Sequence, residues 1–351
     1  MTLIPNTARR KLKIPDDGDF QTLLERPELV TVDLSTKTLT YNMNQSRLQQ
    51  YMDCQRRFFW KFVENLDVKK PAVRMELGSG IHESLAVRGA GGSMEDAIEN
   101  GVARLRRDFK DVYLMPEEIA EIDEVEETLR KMIPAYEENW NKAPWQPLGI
   151  EVGGTVDIGT VEVATKRPSG LYEADTWTVK ITFRIDKLVL FNNQIWIVDH
   201  KSAAKLDMRD VAKYAMDVQM TSYTYAATKI LEEQMPASAK GLTPRVQGVI
   251  VDLLVKTKVP QFHRDLFYRT DDDLVEFQYD WLEWSEQIIR AWLRAETFSR
   301  EGVPPRLAFP KNTKVCFNYG TCPFYALCIK DTPEKRLDFK NREKDYVDNA
   351  Q

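Results

Sequence analysis

Ile195-Trp196-Ile197-Val198-Asp199-His200-Lys201 is the stretch on which the reading of this chain turns. Four apolar residues, two isoleucines and a valine among them, mark a buried β-strand. Side chains alternate along a strand, so Asp199 and Lys201 share one face and His200 points to the other. A carboxylate and an ammonium side by side at the end of a buried strand suit a metal-dependent phosphodiester site. The carboxylate holds a cation; the lysine orients or activates water. Asp-x-Lys is weak alone, since it occurs at Asp67, Asp108, Asp199 and Asp338. Only the Asp199 copy follows an apolar strand.

The residues just upstream supply a partner. Phe191-Asn192-Asn193-Gln194 reads as a tight turn, because Asn tolerates positive φ. The hairpin partner is then Thr182-Phe183-Arg184-Ile185-Asp186-Lys187-Leu188, which can set Asp186 beside Asp199. Two carboxylates on neighbouring strands could share one hard divalent ion. Glu151, on a strand before these, is a candidate third carboxylate, with an exposed strand acid as the alternative. Downstream, a helix over about 209–233 puts Gln219 and Tyr223 on one face. Gln suits a phosphate or bound water; Tyr suits phosphate or a base, or simple packing.

The chain has 351 residues, 43% apolar and 29% charged, as in an ordinary globular protein. No apolar run reaches the roughly 20 residues of a membrane span. Basic residues at Arg9, Arg10, Lys11 and Lys13 have no apolar stretch behind them, so no secretory signal is expected and a cytosolic location is. A net charge of −5 does not advertise a nucleic-acid binder. A local basic groove is compatible with it, and much of the acid lies between Glu117 and Glu138.

Residues 1–40 read as an arm, with a short strand at 29–32. Ser46 and Gln49 suggest a capping box opening a helix through Leu66. Its Arg56, Arg57 and Lys61 form either a solvated face or phosphate contacts. Gly78-Ser79-Gly80 precedes Ile81-His82, with Leu77, Ile81 and Leu85 on one helical face. The glycines allow close approach to a sheet, and a lone His82 there is ordinarily structural. Two helical stretches, 94–110 and 116–139, form an insertion with a scaffold or substrate-covering role. Pro134 is expected to kink or end the second. Residues 150–164, 175–191 and 245–256 read as strands, and 272–298 as a long helix with core tryptophans.

All four cysteines enter one pattern: Cys54 early, then Cys316, Cys322 and Cys328 with five residues between neighbours. In a reducing compartment this favours metal ligation over disulfides. A four-thiolate Zn²⁺ site, a [4Fe–4S] cluster and four free thiols stay open. Zinc is disfavoured, because its sites use closer pairs. Phe317, Tyr319, Phe324 and Tyr325 could shield a cluster, and the tail after 330 is polar.

The ordered set Ser46-x-Leu48, Cys54, Arg57, Gly78-x-Gly80-Ile81-His82, Ile185-Asp186, Ile197-Val198-Asp199-His200-Lys201, Gln219-x-x-x-Tyr223 and Cys316, Cys322, Cys328 resembles the PD-(D/E)XK nuclease superfamily. Within it the likeness is to the RecB-like branch with iron–sulphur clusters, similar to the AddB nuclease domain and CRISPR-associated exonucleases. The resemblance implies an α/β fold with a restriction-endonuclease-like core, a central mixed sheet flanked by helices. It implies a nuclease domain over 41–330 holding the helical insertion and an iron–sulphur segment at 310–330, then a polar tail over 331–351. It implies Mg²⁺ or Mn²⁺ on His82, Asp186 and Asp199 with the main-chain carbonyl of His200. Lys201 is the implied catalytic lysine, Gln219 and Tyr223 line the substrate path, and Glu151 matches an earlier acid less securely. His200 stands where the family often has Tyr. With its side chain facing away, little is expected to change. The implied cluster on Cys54, Cys316, Cys322 and Cys328 has a structural role.

The expected function is metal-dependent hydrolysis of DNA phosphodiesters, as an exonuclease on single strands or ends in recombination, repair or processing of viral or foreign DNA. The alternatives are a non-cleaving DNA-end-binding protein on a nuclease scaffold and an endonuclease or RNA-processing enzyme with the same metal core. The chain carries no helicase P-loop, so any unwinding motor is a separate partner.

Overall fold

The structure, a computed structural model, describes residues 30–33, 38–110, 112–140, 144–166, 171–318 and 320–342. Most of the expected arm, the end of the tail and Tyr319 lie outside the described residues. In chain order the chain forms β1 (Val30–Asp33), β2 (Thr38–Met43), α1 (Gln45–Asp53), α2 (Gln55–Phe58), β3 (Leu66–Val68), α3 (Val73–Gly89), α4 (Met94–Arg107) and α5 (Pro116–Asn139). Then come β4 (Gln146–Lys166), β5 (Tyr172–Phe191), β6 (Gln194–Ala203), α6 (Met208–Ala212), α7 (Val218–Glu233), β7 (Val246–Val255) and β8 (Gln261–Tyr268). Last are α8 (Asp271–Arg300), α9 (Tyr325–Ile329), α10 (Pro333–Arg336) and β9 (Phe339–Asn341). No helix among the described residues is long and apolar enough to cross a membrane.

Two compact units divide the chain. Residues 69–154 and 183–275 form the unit that carries the strand 194–203. Here β5 runs antiparallel to β6, β6 parallel to β7, and β7 antiparallel to β8. That is a mixed sheet, and helices flank it. Helices α3, α4 and α5 pool Leu77, Ile81, Leu85, Leu105, Leu129 and Met132 with Leu254 of β7. Val211 of α6 packs with Leu253 and Val255, which alternation places on the opposite face. Near-continuous Val, Ile and Leu in β6 and β7 follow from burial on both faces.

The Phe191–Gln194 turn forms as its sequence predicts: Asn192 and Asn193 stand at φ 50° and 58°, and Phe191 pairs with Gln194. Helix α5 does not end at Pro134. It continues to Asn139, and its buried stripe runs on through Ile133 to Tyr136. Gly101 of α4 meets Gly80 of α3 so closely that a Cβ on it would lie 2.7 Å from the Gly80 carbonyl oxygen.

The other unit comprises residues 1–68, 155–182 and 276–351. In it β2 pairs antiparallel with β1 and parallel with Trp177–Ile181 of β5. The first helix departs from its expected form. Its cap is Asn44, whose side chain accepts from Arg47 N–H at 3.0 Å, and not Ser46. It stops at Cys54, which is extended at φ −161° and ψ 107° and separates α1 from α2. Arg56 is buried, and its Nε donates to the Phe309 carbonyl at 2.8 Å, so it serves this fold and not phosphate. The tail is held further than its polarity suggests: β9 pairs with β3, and Phe339 stacks on Phe324 at 5.3 Å.

Candidate active site

Strand β6 carries Asp199 into the protein and Lys201 to its margin. Asp199 is 2% exposed, and Lys201 Nζ lies 2.8 Å from its Oδ2. The same ammonium donates to Gln219 Oε1 at 2.8 Å, and Gln219 Nε2 donates to the Tyr223 hydroxyl at 2.8 Å. Asp217 caps α7, accepting from Gln219 N–H at 2.7 Å, which fixes where the helix begins and hence where Gln219 points. Burial alone would lower the Lys201 pKa, but the Asp199 carboxylate outweighs it and holds the amine above the ordinary lysine range. Lys201 is therefore an ammonium, a donor and not a base, while Asp199 is its partner. Burial raises the Asp199 pKa and the Asp186 charge adds to this, against the pull of Lys201.

The β5–β6 ladder runs from Phe191↔Gln194 to Lys187↔Val198 and stops. Asp186 and Asp199 come at the next register step, where the strands part and ladder bonds no longer satisfy the backbone. His200 N–H accordingly donates to Asp186 Oδ2 at 2.7 Å. The other oxygen, Oδ1, lies 3.0 Å from His82 Nδ1. Gly78, four residues before His82, lies where α3 meets β6, and a Cβ there would make only an ordinary contact with Ser202 Oγ at 3.5 Å. Gly80 instead faces α4 and α5, where Leu129 Cδ1 would be 2.6 Å from an added Cβ. Burial would raise the Asp186 pKa, but the charge of His82 and hydrogen bonds from His200 and His82 hold it well below the usual carboxylate range.

One ligand atom each from His82, Asp186 and His200 lie within 4.8 Å of one another. Asp199 stands outside that group, drawn to Lys201, yet its buried Oδ2 receives no aligned hydrogen bond. An imidazole pair, a charged carboxylate and a second buried carboxylate with a free lone pair fit a divalent cation. Strand alternation assigns the His200 side chain no part. Its ring does point to the face opposite Lys201, but Nδ1 lies 3.0 Å from Asp186 Oδ2, so the substitution of His for Tyr is not indifferent. Glu151 stands on β4 at φ 50°, a left-handed conformation that costs a non-glycine residue energy. It pairs with Arg184. Burial raises its pKa, Arg184 opposes this, and the Asp186 charge adds to it, which places Glu151 within electrostatic reach of the fork.

Three residues escaped the sequence reading: Tyr136, Asp252 and Arg264, which lie behind His200. An acid within the apolar run Val249–Val255 is the signal that could have revealed Asp252, since a buried carboxylate needs partners.

In the other unit, Cys54, Cys316, Cys322 and Cys328 line one cavity of about 180 Å³ together with Arg57 and Lys311. Trp60 Nε1–H donates to Cys328 Sγ at 3.4 Å, and Asn312 N–H to Cys54 Sγ at 3.4 Å. None of the four forms a disulfide. Burial raises the pKa of Cys322 and Cys328.

The family model of the PD-(D/E)XK nuclease superfamily matches residues 42–329. The chain belongs to the PD-(D/E)XK nuclease superfamily. Membership makes it a nuclease with a phosphodiester-cleaving core that uses a divalent metal such as Mg²⁺ or Mn²⁺. No curated protein matches the chain. A crystal structure of a candidate exonuclease from Eubacterium rectale is similar at 14% identity and a TM-score of 0.41, covering 78% of this chain and 85% of that one.

Proposed function

We propose that this nuclease hydrolyses DNA, acting as an exonuclease on single strands or ends in recombination, repair or processing of viral or foreign DNA. The observation that carries the reading is the fork at which Asp186 and Asp199 leave the β5–β6 ladder, with Lys201 2.8 Å from Asp199 and His82 3.0 Å from Asp186. Asp186, Asp199 and His82, with the His200 carbonyl, are the residues to hold the cation, which when bound supplies Lewis-acid polarisation of the scissile phosphate. Lys201 donates to the attacking water or a phosphate oxygen and offsets the charge that builds in the transition state. Gln219 and Tyr223 fix the direction of that ammonium. Glu151, paired with Arg184, stands within electrostatic reach of the fork.

The test is degradation of end-labelled linear single-stranded and duplex DNA beside circles of the same sequence, with Mn²⁺, Mg²⁺ or EDTA. Metal-dependent loss of the linear forms alone is expected, and Asp199→Ala should abolish it in a protein that still folds. Wild-type degradation by Asp199→Ala would remove the reading.

The four cysteines are further proposed to hold a [4Fe–4S] cluster with a structural role. A zinc tetrahedron with bonds of about 2.3 Å brings its sulfurs within roughly 3.8 Å of one another. A cluster taking one thiolate per iron accepts a wider set of sulfurs, and the four cysteines line one cavity. The N–H groups aimed at Cys54 and Cys328 favour sulfur that carries charge. About four iron and four sulfide per chain after anaerobic purification are expected, whereas one zinc without iron would overturn this.

A further inference from the structure

On the face of β6 opposite Lys201, a set of polar side chains is closed off from water. His200 is 1% exposed, and Asp252, its register partner on β7, is 0% exposed. Asp252 Oδ2 accepts from the Tyr136 hydroxyl at 2.5 Å, from Arg264 Nε at 2.9 Å and from Arg264 Nη2 at 2.8 Å. Arg264 Nη2 also donates to the Tyr136 oxygen at 3.0 Å. The guanidinium carbon is 3.8 Å from the centroid of Trp140 and 4.4 Å from that of Trp145, so stacking holds it on both rings. His200 Nε2 lies 3.4 Å from the Tyr136 oxygen and 4.0 Å from Asp252 Oδ2. At the other end of the same ring, Nδ1 meets Asp186 Oδ2 at 3.0 Å.

This array is a costly way to fill a core. Removing a carboxylate and a guanidinium from water offsets most of their attraction, and apolar residues of similar volume usually serve stability as well or better. Asp252 Oδ1 is moreover buried without a hydrogen-bond partner, which itself costs about 1–3 kcal/mol. The neighbouring positions Val189, Trp196, Val198 and Ile250 show that this face accepts an apolar filling. What the polar version adds is direction. The hydrogen bonds among Tyr136, Asp252 and Arg264 fix the Tyr136 oxygen and the Asp252 carboxylate against the Nε2 end of His200, 3.4 and 4.0 Å away. The imidazole is thereby held in place from its Nε2 end, with Nδ1 kept 3.0 Å from Asp186.

We propose that Tyr136, Asp252 and Arg264 are positioning residues which act through the His200 imidazole to hold Asp186 in the orientation that faces His82 and the divalent ion. The inference rests on the reading of His82 and Asp186 as cation ligands given above. It assigns His200 a supporting role through its side chain, distinct from any carbonyl it offers, and it makes the His at this position part of a unit with β7, β8 and α5.

The experiment is Mn²⁺ binding to the full-length protein without DNA, followed by electron paramagnetic resonance, for wild type, Asp252→Asn, Tyr136→Phe, Asp186→Asn and the double variant Asp186→Asn/Asp252→Asn. Thermal melting sets an assay temperature at which each is folded. Asp252→Asn and Tyr136→Phe should weaken Mn²⁺ binding about 10- to 100-fold. The Mn²⁺ concentration for half-maximal cleavage should rise by the same factor, with much of kcat regained at saturating metal. Because Asp252 acts through Asp186, the double variant should bind no more weakly than Asp186→Asn alone. A purely structural role would lower the melting temperature and leave the metal constant where it was. Affinities within about two-fold of wild type in folded variants, or a loss that adds in full to that of Asp186→Asn, would overturn the inference and leave the site reading standing. A wild-type protein that binds no Mn²⁺ would overturn both. Should Asp252→Asn not fold, Tyr136→Phe keeps the volume and the ion pair and decides the matter.

Discussion

Replacing Lys201 by methionine keeps most of the side-chain volume and removes one charge. The ammonium lies 2.8 Å from Asp199 Oδ2, a separation worth roughly 6 kcal/mol of attraction at an effective dielectric near 20. Desolvation offsets part of that in the wild type, so the net effect should be that of breaking a buried pair, about 3–5 kcal/mol. Lys201 retains 23% side-chain exposure, which favours the lower figure. A folding unit of this size loses about 2–4 °C per kcal/mol, so the metal-free variant should melt roughly 6–12 °C below wild type. Asp199 escapes some of the penalty by taking a proton. With its carboxyl raised above the unfolded value, the folded variant binds that proton more readily, and the deficit should shrink as pH falls. Mn²⁺ restores a positive charge beside Asp199, so it should raise the variant's melting temperature by more than it raises that of wild type. Cleavage should fall at least about 100-fold, the scale of losing one donor to a developing oxyanion. Calorimetry across pH with and without Mn²⁺, beside single-turnover cleavage, measures all four. A variant that melts with wild type, gains nothing extra from Mn²⁺ and cuts at the wild-type rate would refute the reasoning.

Gln219→Leu removes the acceptor of the Lys201 ammonium; a hydrogen bond to a charged group is worth about 1.5–3 kcal/mol, so cleavage should drop roughly 10- to 100-fold in single-turnover assays. Burial would lower the His82 pKa, but Asp186 outweighs it and the net shift is upward; a cation must displace that proton, so Mn²⁺ affinity should rise as pH climbs past the ordinary histidine range, and the slope should flatten in His82→Gln. Gly101→Ala sets a Cβ 2.7 Å from the Gly80 oxygen and against Ser84, and should cost about 1–3 kcal/mol of stability by denaturant titration.

Several features were legible because they depend on neighbours in sequence. The Asn192-Asn193 turn sets the β5–β6 register, and that register alone puts Asp186 next to Asp199. Strand alternation alone puts Lys201 with Asp199, and helical spacing puts Gln219 with Tyr223. Other features depend on which strand lies alongside, and periodicity is silent there. Asp252 faces His200 only because β7 pairs parallel with β6. Arg264 reaches it only because the polar stretch Gln261–Tyr268, which has little apolar alternation, still forms β8. The helical period also ran through Cys54 without a mark, since the break there comes from contacts made by segments more than 250 residues away, such as Asn312. Pro134 stays inside α5 because burial of Met132, Ile133 and Tyr136 outweighs one missing backbone bond.

The pairing of β9 with β3 bears on how the chain is made. Translation delivers Leu66–Val68 early, whereas its partner Phe339–Asn341 emerges some 270 residues later. The stretch bearing His82, Asp186, Asp199 and Lys201 is complete on the ribosome by Val275, so that half can settle while the segments around Cys54 still await their counterparts. Premature termination shortly after Val275 should therefore yield a polypeptide with His82, Asp186, Asp199 and Lys201 in a settled unit and the other unit open to proteolysis.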